Sequence, residues 1–374
     1  MDITRRSLIG SGTALAALGL GGGAVAAVSG DVSIARMIVI DGNSTMMEAG
    51  IPLVPEGPLS ARAIQAIKAS GLTAVVMTIG QGSEGDRFGT VVRKMAGYAE
   101  LISGLPDLLL RVRTSADILR AKAEGKLGII YTIQDTMLLD TDVQRLGILH
   151  GMGLRIVQLT YNRRNLVGDG SLEANDGGLS SFGYSVVEEL NRKKMVVDLS
   201  HGGAKLIRQA IAASKAPPII SHSGCRAITD LPRNVHDPEM RQLADKGGVF
   251  GIYFMPFLTL RPPAKSEDVI RHIEHALKVC GEDHISIGSD GGIPAVEVNE
   301  TARALYRKEY ERRVRAGVAA PGETPDGEYF VPDYNQPDRM FRLASDLSRR
   351  GWPARRIEKL FGANLMRVFS EVWG

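Results

Sequence analysis

The sequence predicts a single (β/α)8 barrel, the TIM-barrel architecture. Three observations carry that expectation. From residue 35 onward, short Val- and Ile-rich runs alternate with amphipathic runs, as in a chain that builds a buried parallel sheet covered by helices. Eight such apolar runs occur, each short enough for a barrel strand. The chain has 374 residues, and its length beyond an N-terminal leader matches the size of one such barrel. An open doubly wound sheet is the alternative arrangement, but no G-x-G-x-x-G comes after the first apolar run, so a dinucleotide-binding version is disfavoured.

Taken in chain order, residues 1–26 read as a leader. Arg5-Arg6 precede a weakly apolar run from Leu8 to Val28, and Ala24-Val25-Ala26 supplies a small-x-small cleavage pattern. The Thr-Arg-Arg-Ser-Leu-Ile text resembles a twin-arginine signal, so the twin-arginine export machinery is the expected first partner and the periplasm the expected destination. Six glycines in the apolar run argue against a stable membrane span. Residues 27–374 then form one barrel domain.

Strands are expected at Met37–Ile40, Ala74–Ile79, Leu127–Ile133, Arg155–Leu159, Met195–Leu199, Ile219–Ser221, Val249–Tyr253 and Ile285–Gly288. Helices are expected at Ser60–Ser70, Phe182–Lys193, Ala204–Ala213, Pro238–Lys246 and Ser266–Val279. Residues 301–338 break the rhythm with a strongly charged helix and a Pro/Gly/Asp-rich loop. They read as an insertion on the face where barrel enzymes do chemistry. Pro353–Trp373 reads as a helix packing on the barrel wall.

Composition excludes several function classes. Hydrophobic residues make up 44% and charged residues 23%, which is globular rather than disordered. Forty-five basic against 42 acidic residues leave a net charge of only +3. That balance makes no case for nucleic acid or an anionic membrane surface as partner. Two cysteines, Cys225 and Cys280, exclude a disulfide framework and a CxxC metal site, and leave one bridge open. A homodimer is likewise left open.

The chemistry-bearing residues sit at strand ends. MVVDLSH places His201 after one expected strand, PPIISH places His222 after the next, and ISIGSD places Asp290 after the last. In a barrel these three side chains converge at the C-terminal rim, and two neutral imidazoles with a carboxylate are a zinc-type set.

Four segments, GLSSFGYSVVEELNRKKMVVDLSH, PPIISHSGCRAITDLPRNVHD, HISIGSDGG and IEKLFGANLMRVFSEVW, resemble the renal or membrane dipeptidase family, peptidase family M19 of the amidohydrolase superfamily. They span nearly the whole barrel domain in family order. The resemblance implies a barrel of the metal-dependent hydrolase type, with two zinc ions at the rim and dipeptides as substrates. It also implies departures. The family's first strand ends in Asp-Gly-His-x-Asp, whose His and second Asp bind one zinc; here the text is Asp41-Gly42-Asn43-Ser44-Thr45. A bridging glutamate of the family is Gln134 here, with Asp135 beside it. A substrate-contacting histidine is Tyr161. Arg233 stands in PRNVHD, where the family's arginine holds the substrate carboxylate.

Neutral oxygen donors are weak partners for zinc, and a neutral amide offsets little of the repulsion between two cations. The expectation is therefore at most one zinc per chain, on His201 and His222, with Gln134, Asp135 or water completing it and Asp290 acting as general base. Two functional classes are open. The first is an exported hydrolase of dipeptides or related small amides, with Arg233 and Tyr161 holding a peptide-like substrate. The second is a non-hydrolytic relative that binds a peptide-like ligand or assists another periplasmic enzyme.

Overall fold

The computed structural model describes residues 34–48, 58–80 and 85–374. Within them the buried apolar runs become strands of one parallel sheet. The strands are β1 (Ile40–Thr45), β2 (Ala74–Gly80), β3 (Leu109–Arg111), β4 (Leu127–Ile133), β5 (Leu154–Gln158), β6 (Val196–Asp198), β7 (Ile219–Ser223), β8 (Val249–Ile252), β9 (Ile285–Ile287) and β10 (Gly291–Gly292). Hydrogen-bonded neighbours run β10-β1-β2-β4-β5-β6-β7-β8-β9.

β3 and β10 add to the eight expected runs. β2 takes one edge of β4 along its length. On the other edge, β3 pairs with Leu127–Ile129 and β5 takes over from Tyr131. β10 lies beside β1, with Ser44 opposite Gly291. β9 lies beside β8, so the segment from Ile285 to Gly292 joins the two ends of the sheet and closes the ring. Gly288 N–H donates to Ile252 O at 3.0 Å, and Asp290 N–H donates to Asn43 O at 2.7 Å. The closure brings backbones very near one another: a Cβ at Gly251 or Gly288 would lie 2.0 Å from the Ser221 carbonyl oxygen.

The first strand is displaced from its expected place. Ile34–Arg36 form a 3-10 turn, and the strand runs from Ile40 to Thr45. An apolar-run criterion misses it because its polar residues are buried and partnered. Asp41 accepts from Ser289 N–H at 2.7 Å and from the Ser289 hydroxyl at 2.5 Å. The Ser44 hydroxyl donates to Gly291 O at 2.6 Å.

The helices are α1 (Ala61–Ser70), α2 (Arg87–Gly104), α3 (Ser115–Glu124), α4 (Arg145–Gly151), α5 (Ser181–Arg192), α6 (Ala204–Ala213), α7 (Asp237–Asp245), α8 (Ser266–Cys280), α9 (Glu300–Arg315), α10 (Arg339–Arg349), α11 (Ala354–Glu358) and α12 (Asn364–Trp373). The five helices expected from periodicity fall on α1, α5, α6, α7 and α8. Serine caps start two of them: the Ser60 hydroxyl accepts from Ala63 N–H and the Ser180 hydroxyl from Gly183 N–H, both at 3.0 Å.

The C-terminal helix lies elsewhere than on the wall. Val368, Phe369 and Trp373 of α12 cluster with Ile40, Ala74, Val196, Ile219 and Val249, the first residues of five strands. α12 therefore floors the N-terminal mouth of the barrel, and the C-terminal rim is left for a site. There the segment after α9 meets the loop after β5: Asn162 Nδ2 donates to Val318 O at 2.7 Å and Arg163 Nε to Gly317 O at 2.6 Å.

Cys225 and Cys280 are buried free thiols. No helix among the described residues is long and apolar enough to cross a membrane. The expected leader lies outside the described residues.

Candidate active site

The rim residues come from the C-terminal ends of strands around the barrel. His222 stands inside β7, one residue before its end, rather than after it. His201 lies three residues past β6 and Asp290 three past β9. His201, Asp290 and the neighbouring Asn162 all adopt left-handed backbone, with φ of 63°, 59° and 52°. Left-handed non-glycine residues cost roughly 1–3 kcal/mol each and gather at sites whose surroundings hold them in place.

The two imidazoles meet edge to edge. His201 Nε2 lies 3.0 Å from His222 Nε2. The far side of each ring is also held. His201 Nδ1 lies 2.6 Å from Asn162 Oδ1, and His222 Nδ1 lies 2.8 Å from Ser221 Oγ. Ser221 in turn donates to Asp198 Oδ2 at 2.5 Å, and Asp198 also takes the Ser200 hydroxyl at 2.8 Å. Burial, then the nearby Arg233 guanidinium, holds both imidazoles well below the usual histidine range. Both are therefore neutral at pH 7 and able to act as ligands.

Asp290 is partly buried, and Asn43 Nδ2 donates to its Oδ1 at 2.7 Å. The Thr78 hydroxyl donates to Asn43 Oδ1 at 3.3 Å. Burial pushes the Asp290 carboxyl up to about 7; Arg233 and Arg313 pull it down, while Asp41 and Glu323 push it further up. A carboxyl there changes protonation near neutrality, which suits proton transfer. Arg233 is 3% exposed, lies 5.7 Å over the Tyr253 ring, and leaves one terminal guanidinium nitrogen buried without a hydrogen-bond partner. It faces His201, His222 and Asp290 electrostatically. A buried orphan donor beside a neutral pair and a titrating carboxyl is a place for an anionic group of a ligand.

Tyr161 stacks on His201, with ring centroids 4.2 Å apart. Its hydroxyl oxygen accepts from Arg313 at 2.7 Å, and Arg313 is tied to Glu323 at 2.6 Å. The Tyr161 hydroxyl hydrogen is left to donate. Thr45 accepts from Met47 N–H through its hydroxyl. Gln134 is buried, and its backbone carbonyl takes Gln158 Nε2 at 3.0 Å. The Asp135 carboxylate accepts from Met137 N–H at 2.6 Å and Asn165 Nδ2 at 3.2 Å, bracing the turn that comes after β4.

Among the described residues, no three His, Cys, Asp or Glu side chains come together to hold an ion. Asp135 therefore does not complete a set with the two histidines. Thr45 and Gln134, where the family resemblance implies carboxylate ligands, are neutral side chains. The imidazole pair fits one cation as a two-nitrogen site, one protein ligand short of the usual catalytic zinc.

A cleft of about 740 Å³ opens between the loop after β5 and the α9 segment, lined by Arg163, Glu173, Arg226, Tyr310 and Glu323 among others; neither histidine, nor Arg233, nor Asp290 lines it. It meets the rim through Glu323, which holds Arg313.

Of the residues singled out in the sequence, His201, His222 and Asp290 lie in the field of Arg233. Asn162, Ser221, Asp198 and Arg313, which join them in the hydrogen-bond network, were not among those residues. Asp198 carried a usable signal, an acidic residue inside the apolar run MVVDLSH. Arg313 carried none, since it lies within a charge run that reads as a solvated helix face.

A parallel (β/α)8 barrel with this rim is a barrel of the amidohydrolase type. The sequence profile of the membrane dipeptidase family, peptidase family M19, matches residues 60–306, and the chain belongs to that family. Gln134, Tyr161, His201, His222, Arg233 and Asp290 fall inside the matched span, whereas Asn43 and Thr45 precede it. An amidohydrolase from Pseudomonas aeruginosa is similar throughout, at 31% identity and a TM-score of 0.77, covering 91% of this chain and 98% of that one. A dipeptidase of Clonostachys rogersoniana is 34% identical over 192 residues, 51% of this chain and 50% of that protein. An uncharacterized dipeptidase of Schizosaccharomyces pombe is 34% identical over 255 residues, 66% of this chain and 53% of that protein. The chain thus spans about half the length of the curated relatives it matches.

Proposed function

We propose that this chain is an exported hydrolase of dipeptides or related small amides, working with at most one zinc ion at a reduced centre. The observation that carries the reading is the rim itself: a neutral imidazole pair and a carboxyl titrating near 7, each in the field of one buried arginine with an unpaired nitrogen. Membership of the dipeptidase family supports the reaction class.

In this reading Arg233 takes the substrate carboxylate in its planar fork. Asp290, ionised above about pH 7, accepts a proton from the attacking water and returns it to the leaving amine. Tyr161, fixed through its oxygen by Arg313, points its hydroxyl hydrogen at the scissile carbonyl. His201 and His222 would hold the ion, which when bound supplies Lewis-acid polarisation.

Metal analysis of the purified protein after dialysis against a mild chelator tests the reading. One retained zinc is the expected upper limit, and His222→Ala should retain none. Two retained ions in the parent would refute the reduced centre. A metal-free parent that binds dipeptides without cleaving them would favour the ligand-binding alternative.

Arg233→Ala should raise KM about 10²-fold for substrates with a free carboxylate, the size of a lost charge-assisted hydrogen bond in a buried site, with kcat little changed. Steady-state kinetics on a dipeptide and its C-terminal amide checks this. An equal KM rise for both substrates would remove the carboxylate role from Arg233.

Export rests on Arg5-Arg6 and the Ala24-Val25-Ala26 site. Lysines at both arginines should leave an uncleaved precursor in the cytoplasm. Cell fractionation that still finds processed periplasmic protein would exclude the twin-arginine route.

A further inference from the structure

We infer that Asn162 and Ser221 are positioning residues that fix both rim imidazoles as Nδ1–H tautomers and turn their two Nε2 lone pairs onto one point. The inference deepens the single-ion reading above and rests on it only where zinc affinity is measured.

The hydrogen-bond network decides each tautomer. Asn162 Nδ2 lies 2.7 Å from Val318 O. A carbonyl oxygen only accepts, so the amide nitrogen is at that end and the amide oxygen is at the other. That oxygen lies 2.6 Å from His201 Nδ1. It too only accepts, so His201 carries its proton on Nδ1. The Val318 carbonyl belongs to the segment after α9, so the insertion holds the amide that orients the first ring.

Ser221 does the same for the second ring by a different route. Asp198 is buried under donors: the N–H groups of Ser200 and Ser221 and the Ser200 hydroxyl all reach Oδ1, at 3.0, 3.1 and 2.8 Å. Its Oδ2 takes the Ser221 hydroxyl at 2.5 Å. Ser221 has one hydrogen, and that contact uses it. Its oxygen can then only accept from His222 Nδ1, 2.8 Å away.

Two neutral rings so held point bare Nε2 atoms at each other across 3.0 Å. In an ordinary buried histidine pair, one ring donates its Nε2–H to the other. Here both far sides claim the single ring proton, and the facing lone pairs repel until a positive centre lies between them. Outer partners of this kind commonly set the tautomer of metal-bound histidines. The left-handed φ of 52° at Asn162 and 63° at His201 fits a loop constrained to make this contact.

Nitrogen NMR of the ring atoms, on the metal-free full-length chain at pH 8, reads the tautomers directly. The expected result is Nδ1 protonated and Nε2 bare in both rings. A ring carrying Nε2–H and donating to its neighbour overturns the inference. Asn162→Gly keeps the backbone unstrained and removes the acceptor; His201 should then become a tautomer mixture. Asn162→Asp keeps the acceptor and should keep the tautomer. Zinc affinity by calorimetry should fall about 10–100-fold in Asn162→Gly and Ser221→Ala, the usual cost of losing an outer partner, and hold in Asn162→Asp. Thermal melts show which variants are folded. A single Nδ1–H tautomer persisting in folded Asn162→Gly would also overturn the assignment. Correct tautomers in a parent that binds no zinc would support the positioning roles and sink the single-ion reading alone.

Discussion

A triple variant, Asn43→His, Thr45→Asp and Gln134→Glu, should take up a second metal ion and cleave dipeptides about 10²-fold faster than the parent, the scale that several kcal/mol of Lewis-acid stabilisation supplies. The three positions are those where the family resemblance implies metal ligands. Asn43 now spends its amide on Asp290 at 2.7 Å. A histidine there gives up that bond and turns a ring nitrogen to the rim. Gln134 is buried, and glutamate has its shape but adds a charge, which is costly unless a cation offsets it. The metal-free variant should therefore melt below the parent, and added zinc should raise its melting temperature far more than the parent's. Elemental analysis, melts with and without zinc, and dipeptide turnover check the three parts. Two bound ions without dipeptide cleavage would mean the pocket has been rebuilt for another ligand, and the binding role would replace the hydrolase reading.

The barrel was legible because its strands are apolar on both faces and its helices on one. Seven of the eight expected runs overlap strands of the ring at nearly their own positions, and α6 falls on its expected residues. The failures share one cause. β1 reads Ile-Asp-Gly-Asn-Ser-Thr, and only the Ser289 and Gly291 partners, some 250 residues away, make so polar a segment a buried strand. No local pattern encodes that. The apolar stripe of α12 states that the helix packs but not on what; the five strand starts beneath it are set by the closed ring.

The site divides in the same way. His201, His222 and Asp290 were visible because each stands at the end of a strand-like run, and a barrel sends such residues to one rim. Asn162 and Arg313 were not, since their roles depend on a contact between the loop after β5 and the α9 segment, 152 residues apart at Tyr161 and Arg313. Their importance exists only in three dimensions. Asp198 lies between these cases: a carboxylate in the middle of a buried run must find donors, and it finds four.

Replacing Asp290 with asparagine should lower hydrolysis by roughly 10²–10⁴, the span of a lost general base, and should stabilise the fold at pH 8. Both effects come from the same burial. The carboxyl has been pushed from its usual 3.8 up to about 7, chiefly by desolvation. Its folded value is above its unfolded value, so protonation favours folding. That contribution is fully present below about pH 4 and is lost as pH rises through about 7. Asparagine cannot ionise, so it avoids the loss, while its amide oxygen can still accept from Asn43 and its backbone tolerates a φ of 59°. A shift of about three units corresponds to roughly 4 kcal/mol at full strength; allowing for the cost of burying the new amide leaves about 1–3 kcal/mol at pH 8. The gain should shrink steadily toward pH 4. The parent's kcat/KM should climb through about pH 7, and the variant's residual activity should lose that rise. Melts at pH 4 and pH 8, set beside the two pH–rate profiles, measure all of this. A variant whose stability relative to the parent is the same at both pH values would show that Asp290 is not held protonated by burial. A variant that keeps the parent's climb would move the base to another residue.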